Sequence, residues 1–107
     1  SIFNRKRFQI IGNPSRKFPD LWERVLVEAG ARVVKDRLVK GSNEEGKEPP
    51  EFVLVDEEPN LTLVSIATRE KIRIVTTHWV EDCIVQRKIV AYDLDLHGYT
   101  PVEKPDE

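Results

Sequence analysis

Residues 74–84 read Ile74-Val75-Thr76-Thr77-His78-Trp79-Val80-Glu81-Asp82-Cys83-Ile84. A short β-branched run gives way to two threonines, and an apolar stripe of helical spacing follows them. Ile72 to Val75 is brief and β-prone, so it reads as a strand. Thr76 or Thr77 offers a hydroxyl to the free N–H groups at the start of a helix. Trp79, Val80, Cys83, Ile84 and Arg87 then recur on one helical face. A strand running through a capped turn into an amphipathic helix is the repeating unit of an α/β domain.

The same unit recurs upstream. Phe8 to Ile11 is a β-prone run stopped by Gly12, and Asn13 to Lys17 is turn chemistry. Pro19 suits the first turn of a helix, where its missing N–H costs nothing. Leu21, Trp22, Val25, Leu26 and Ala29 form that helix's apolar stripe, and Gly30 ends it by entering a left-handed cap without steric cost. Arg32 to Lys35 reads as a second strand. Residues 40–50, KGSNEEGKEPP, hold charge, Gly and Pro but nothing apolar, so this stretch reads as a mobile, exposed loop. Glu51 to Asp56 is a third strand whose continuous apolar character fits a sheet covered on both faces. Leu61 to Glu70 reads as a helix with Leu63, Val64 and Ala67 as its buried side. After Lys88 the sequence is turn-like and extended, with a frayed end at 103–107. The order is βαββαβα, an α/β domain with a largely parallel sheet.

Composition limits what such a domain does. The chain has 107 residues, 39% apolar and 34% charged, with 17 Lys and Arg against 19 Asp and Glu for a net charge of -2. That is one domain over residues 1–107, with a core spanning about 7–92. Near-neutrality disfavours a dedicated nucleic-acid binder, which needs a basic surplus or face. No apolar run approaches a membrane span, so no membrane partner is expected. One Cys excludes an internal disulfide. A reducing cytosolic or nuclear compartment fits this usage.

Catalytic signals are weak. Ser15, Ser42 and Ser65 sit in no nucleophile elbow, and Cys83 falls on an apolar helical stripe, where it reads as a small core residue. His78 and His97 read as surface or helix-end histidines. With Cys83 they make no zinc spacing, so no metal and no cofactor is expected. Asp56, Glu57 and Glu58 follow a strand, where open α/β sheets place ligands, but read more simply as an acidic, solvated loop. A basic patch from Arg5, Lys6, Arg7, Arg16 and Lys17 is conceivable, with only the last two certain to share a loop.

Gly30-Ala31, the apolar strand from Phe52 to Val55 and, above all, Ile74 to Ile84 resemble a BRCT domain, which characteristically carries a tryptophan one turn into its final helix, here Trp79. The resemblance covers almost the whole chain. It implies a four-stranded parallel sheet flanked by three helices, the first and last on one face and the middle one on the other, with Gly30, Trp79 and Cys83 structural. It also implies a non-catalytic protein-interaction module of DNA-damage signalling or repair, in the nucleus and in checkpoint control of the cell cycle. Phosphate-binding members place a Ser or Thr before the glycine that ends the first strand and a Lys on the second helix. Here those places hold Ile11 and Leu63, and Leu61 to Thr68 contains no basic side chain.

This pattern, with the segments around Leu21-Trp22 and Trp79 to Tyr99, is similar to the second repeat of tandem BRCT pairs in checkpoint mediators of the p53-binding-protein type and, less closely, of BRCA1. Such a repeat supports recognition of a phosphoprotein whose phosphate is held by its neighbour. By that analogy Lys17, Phe18 and Trp22 face the neighbouring repeat or the bound partner. The alternative is a single BRCT that docks a repair enzyme, a ligase or polymerase, by pairing with another BRCT or by binding DNA. The chain is expected to be a fragment, and its flanking sequence would separate the two readings.

Overall fold

The computed structural model describes residues 1–12, 17–38 and 48–99. The expected turn at 13–16, most of the loop at 40–50 and the tail at 103–107 lie outside them, as do Ser15, Arg16 and Ser42. The elements in chain order are β1 (Arg7–Ile11), α1 (Phe18–Glu28), β2 (Arg32–Val33), β3 (Phe52–Val55), α2 (Leu61–Arg69), β4 (Arg73–Val75), α3 (Thr77–Gln86) and α4 (Leu94–His97). Among the described residues the strands form a four-stranded sheet in the order β2-β1-β3-β4. Every pairing is parallel, with Phe8 opposite Phe52, Ile10 opposite Leu54 and Leu54 opposite Val75. The βαββαβα order therefore holds, with one short helix added at its end.

Strand alternation explains the apolar run in β3. Leu54 joins Phe8, Leu26, Val75, Trp79, Val80 and Cys83 in a cluster against α1 and α3, with Phe52 packed on it. Val53 and Val55 point the other way, into a second cluster with Ile11, Leu38, Val64, Ile66 and Ala67. The first and last long helices thus share one face and α2 covers the other. Trp79 sits at the centre of the first cluster, with ring centroids 4.9 Å from Phe52, 5.8 Å from Phe3 and 6.2 Å from Phe8. Its indole N–H donates to the Val90 carbonyl at 3.3 Å, which ties the chain beyond α3 back onto the helix.

Several expectations are corrected. Phe3 and His97 lie outside the 7–92 span read as the core, yet both are buried. Phe3 is held because its N–H donates to Ala29 O at 3.0 Å and Arg5 N–H donates to Gly30 O at 2.7 Å, stitching the N-terminal segment to the end of α1. Gly30 has a φ of 91°, and a Cβ there would strike the Ser1 side chain, so the position needs glycine twice over. The buried side of α2 is Val64, Ile66 and Ala67, with Leu63 only half-buried. Asn60, whose side chain accepts from Leu63 N–H at 3.2 Å, caps that helix.

The region after Lys88 is not simply extended, since α4 interrupts it. Neither Thr76 nor Thr77 caps α3 through its side chain. The Thr76 hydroxyl instead donates to the His97 carbonyl at 3.0 Å, beside the Thr76 N–H at 2.8 Å to the same oxygen. No helix among the described residues is long and apolar enough to cross a membrane.

Candidate functional site

Parallel sheets gather loops and helix starts at the carboxyl ends of their strands. Here the ends of β3 and β4 meet the starts of α1 and α3 around a cleft of about 490 Å³, lined by Phe18, Trp22, Val55, Asp56, Glu57, Thr76, Thr77, His78 and Tyr99. Phe18 and Trp22 stand one turn apart on α1, ring centroids 6.1 Å apart and tilted by 40°. Both are half-buried: each packs on the core behind it and opens to the cleft in front. Lys17, the third residue expected to face a partner, is exposed at the N-cap of α1 and does not line the cleft.

Asp56 is not the solvated carboxylate expected of an acidic loop. It is buried, and its Oδ1 accepts from the Glu58 N–H at 3.0 Å in a local turn. His78 is exposed at the start of α3 and lines the cleft. No group of three or more His, Cys, Asp and Glu among the described residues could hold a metal ion. Cys83 is fully buried, and that burial pushes its thiol pKa up; a hydrogen bond with the Val90 backbone acts the other way, and the nearby Asp82 charge adds to the rise. A thiol held protonated and out of water is a poor nucleophile.

A second hollow, of about 340 Å³, opens at the end of β1 and is lined by Ile10, Ile11, Gly12, Glu58, Pro59, Asn60 and Leu63. Ile11 and Leu63, the two positions where the resemblance implies phosphate donors, face the same space. Around it stand apolar walls and a carboxylate, with no Lys or Arg among the described lining residues. Arg69, in the last turn of α2, is not part of that lining.

The basic N-terminal segment is largely spent on internal pairs. Lys6 lies 3.3 Å from Glu51, and Arg7 reaches Glu48 at 3.0 Å and Glu51 at 3.1 Å while donating to the Pro49 carbonyl. Compensated in this way, these side chains do not form the free basic face that phosphate backbones require.

One polar cluster carried no sequence signal. His97, expected at the surface, is 5% exposed. Its Nδ1 accepts from Asp93 N–H at 3.0 Å, which leaves the ring proton on Nε2, donated to Asp82 Oδ2 at 2.8 Å. Asp93 also caps α4, accepting from Asp95 N–H at 3.0 Å. Nearby, the Tyr92 hydroxyl donates to Ile74 O at 3.0 Å, and the Arg73 guanidinium lies 4.5 Å from the ring centroid. The asparagine-like capping logic of Asp93-Leu94-Asp95 is the one local hint that a helix begins there.

The chain resembles known proteins both in family and in fold. The family model of the BRCA1 C Terminus (BRCT) domain matches residues 1–97. The C-terminal BRCT domain of human XRCC1 superposes with a TM-score of 0.63 at 15% identity, covering 95% of this chain and 97% of that one. The second XRCC1 BRCT domain gives 0.65 at 17% identity, over 94% and 91%. The BRCT domain from human DNA repair protein REV1 gives 0.55 at 12% identity, over 94% and 92%. At these identities the likeness is one of fold. No curated protein matches the chain.

Proposed function

Because the chain belongs to the BRCT family, we propose that it is a non-catalytic protein-interaction module of nuclear DNA-damage signalling or repair, and that it serves as the repeat of a tandem pair that does not hold the phosphate. The observation that carries this reading is the hollow at the end of β1. A phosphate needs charge-assisted donors. Among the described residues lining the hollow, a phosphate would meet Ile11 and Leu63 and no Lys or Arg. Desolvating a dianion against such a lining costs several kcal/mol, on the order of what a whole micromolar contact supplies.

The recognition surface proposed instead is the cleft with Phe18 and Trp22. Half-buried aromatics with one open face supply rigid contact area at low entropic cost, which is why such residues anchor protein interfaces. Leu21 and Val27, exposed on α1 at 54% and 55%, offer an apolar surface for the neighbouring repeat. The specific likeness to the second repeat of p53-binding-protein-type checkpoint mediators belongs to this proposal.

The same α1 surface supports a second reading, a lone BRCT that docks a repair ligase or polymerase by pairing with a BRCT of another protein. Calorimetric titration with phosphoserine peptides tests the main reading. The chain alone should give no heat of binding above background. Micromolar binding that is lost on dephosphorylation would overturn it. Trp22→Ala should weaken a captured partner and, because Trp22 also packs on the core, lower the melting temperature, so binding is compared well below the variant's melting range.

A further inference from the structure

Four residues are too few to hold a helix by themselves, yet α4 is fixed at both ends. Asp93 caps its start, His97 locks its end to Asp82, and the His97 carbonyl receives both the N–H and the hydroxyl of Thr76. The clamp presents two aliphatic side chains to water between its exposed aspartates: Leu94 is 59% exposed and Leu96 is 65% exposed. Of the seven large hydrophobics exposed among the described residues, four fall between positions 85 and 96, Val85 and Ile89 being the others. Exposed aliphatics whose backbone is pinned by a polar network and which border one groove, as Leu94 and Leu96 do, mark a contact surface rather than scattered surface residues.

Leu94 and Leu96 border a groove of about 640 Å³ between α4 and α3, which Asp82 and Asp93 also line. The groove shares no lining residue with the cleft of Phe18 and Trp22. Both carboxylates accept from neutral donors, the His97 Nε2–H and the Asp95 N–H, so their negative charge stands beside the apolar walls. No Lys or Arg is among the described lining residues. We propose that this groove docks a basic amphipathic segment of a partner protein, its apolar side chains on Leu94 and Leu96 and its Lys or Arg reaching Asp82 and Asp93. Apolar anchors give such a contact its affinity, and the carboxylates set its sign and register.

Selection from a random dodecapeptide library displayed on phage, against the folded chain, tests the proposal. Leu96→Glu and the milder Leu96→Ala alter a side chain mostly in solvent, and an unchanged melting curve confirms that each variant folds. Selected peptides should combine Lys or Arg with Leu, Ile or Phe. They should bind Leu96→Ala, which removes the apolar anchor without adding charge, at least tenfold more weakly, lose affinity as salt rises from about 50 to about 300 mM, and be indifferent to Trp22→Ala. Acidic consensus sequences, binding untouched by both Leu96 variants, or no enrichment would overturn it. A dimer in sedimentation velocity that Leu96→Glu dissolves would assign the groove to a second copy of the chain and equally overturn it.

Discussion

Replacing Phe3 by alanine removes a ring that sits four residues before the first strand and yet has no exposed surface. The ring packs edge-on against Phe8 at 5.0 Å between centroids and tilted against Trp79 at 5.8 Å. Truncating a wholly buried Phe costs about 3–5 kcal/mol, from lost transfer energy and the cavity left behind. The aromatic pairs place Phe3 toward the upper half of that range, since each such pair adds roughly 0.5–1.5 kcal/mol beyond its buried area. A domain of this size is stable by about 5–15 kcal/mol in total, so the variant loses about a quarter or more of its stability. At about 4–8 °C per kcal/mol, the melting temperature falls by roughly 16–40 °C. Urea unfolding followed by tryptophan fluorescence and far-UV circular dichroism measures the loss. Phe3→Leu, which keeps most of the volume, should cost much less, about 1–1.5 kcal/mol. A Phe3→Ala loss below about 1 kcal/mol would refute the reasoning, because it would mean that the N-terminal segment is not part of the core.

His97→Ala should destabilise by about 2–3 kcal/mol, since it leaves the Asp93 N–H without its acceptor and removes the ring that ties α4 to α3. Asp82 is half exposed, so solvent screening keeps the Asp82→Asn loss under about 1 kcal/mol, and a double-mutant cycle in thermal melts should show the two sites coupled. Burial raises the pKa of both Cys83 and Tyr92, with Arg73 partly offsetting the rise at Tyr92. Each group therefore keeps its proton longer in the folded chain than in the unfolded one, so stability is full below the ordinary thiol and phenol range and declines as pH rises through it. Melts from neutral to alkaline pH should show that decline, and Cys83 should resist alkylation at neutral pH until urea opens the fold.

What the sequence made legible follows from the range of each interaction. Trp79 and Cys83 were readable as core because a helical stripe is a local pattern, and Gly30 because a helix end with positive φ is a local demand. Lys17, Phe18 and Trp22 are singled out by family analogy rather than by any local pattern, and the fold sets Phe18 and Trp22 on the cleft but not Lys17. Thr76 was misread because its hydroxyl satisfies a carbonyl 21 residues away rather than its own helix. His97 was misread because its partner Asp82 is 15 residues back, and no periodicity links a histidine in an irregular stretch to a carboxylate on a helix. Phe3 lies too close to basic residues for its side chain to read as core, and its burial depends on Ala29 and Gly30 at the end of α1. Asp56, Tyr99 and Thr77 reach the cleft from separate segments, a convergence that only the assembled sheet produces.

That this repeat does not itself hold a phosphate is the central proposal, and a residue-resolved titration tests it most directly. Phosphoserine peptide is added to isotopically labelled chain while amide resonances of Gly12, Asn60 and Leu63, which line the hollow at the end of β1, are followed by NMR. The expected result is no saturable shift at these amides up to millimolar peptide, against a clear gain when Leu63→Lys supplies a cation. Saturable shifts at Gly12 and Leu63 in the unaltered chain, absent with the unphosphorylated peptide, would contradict the account.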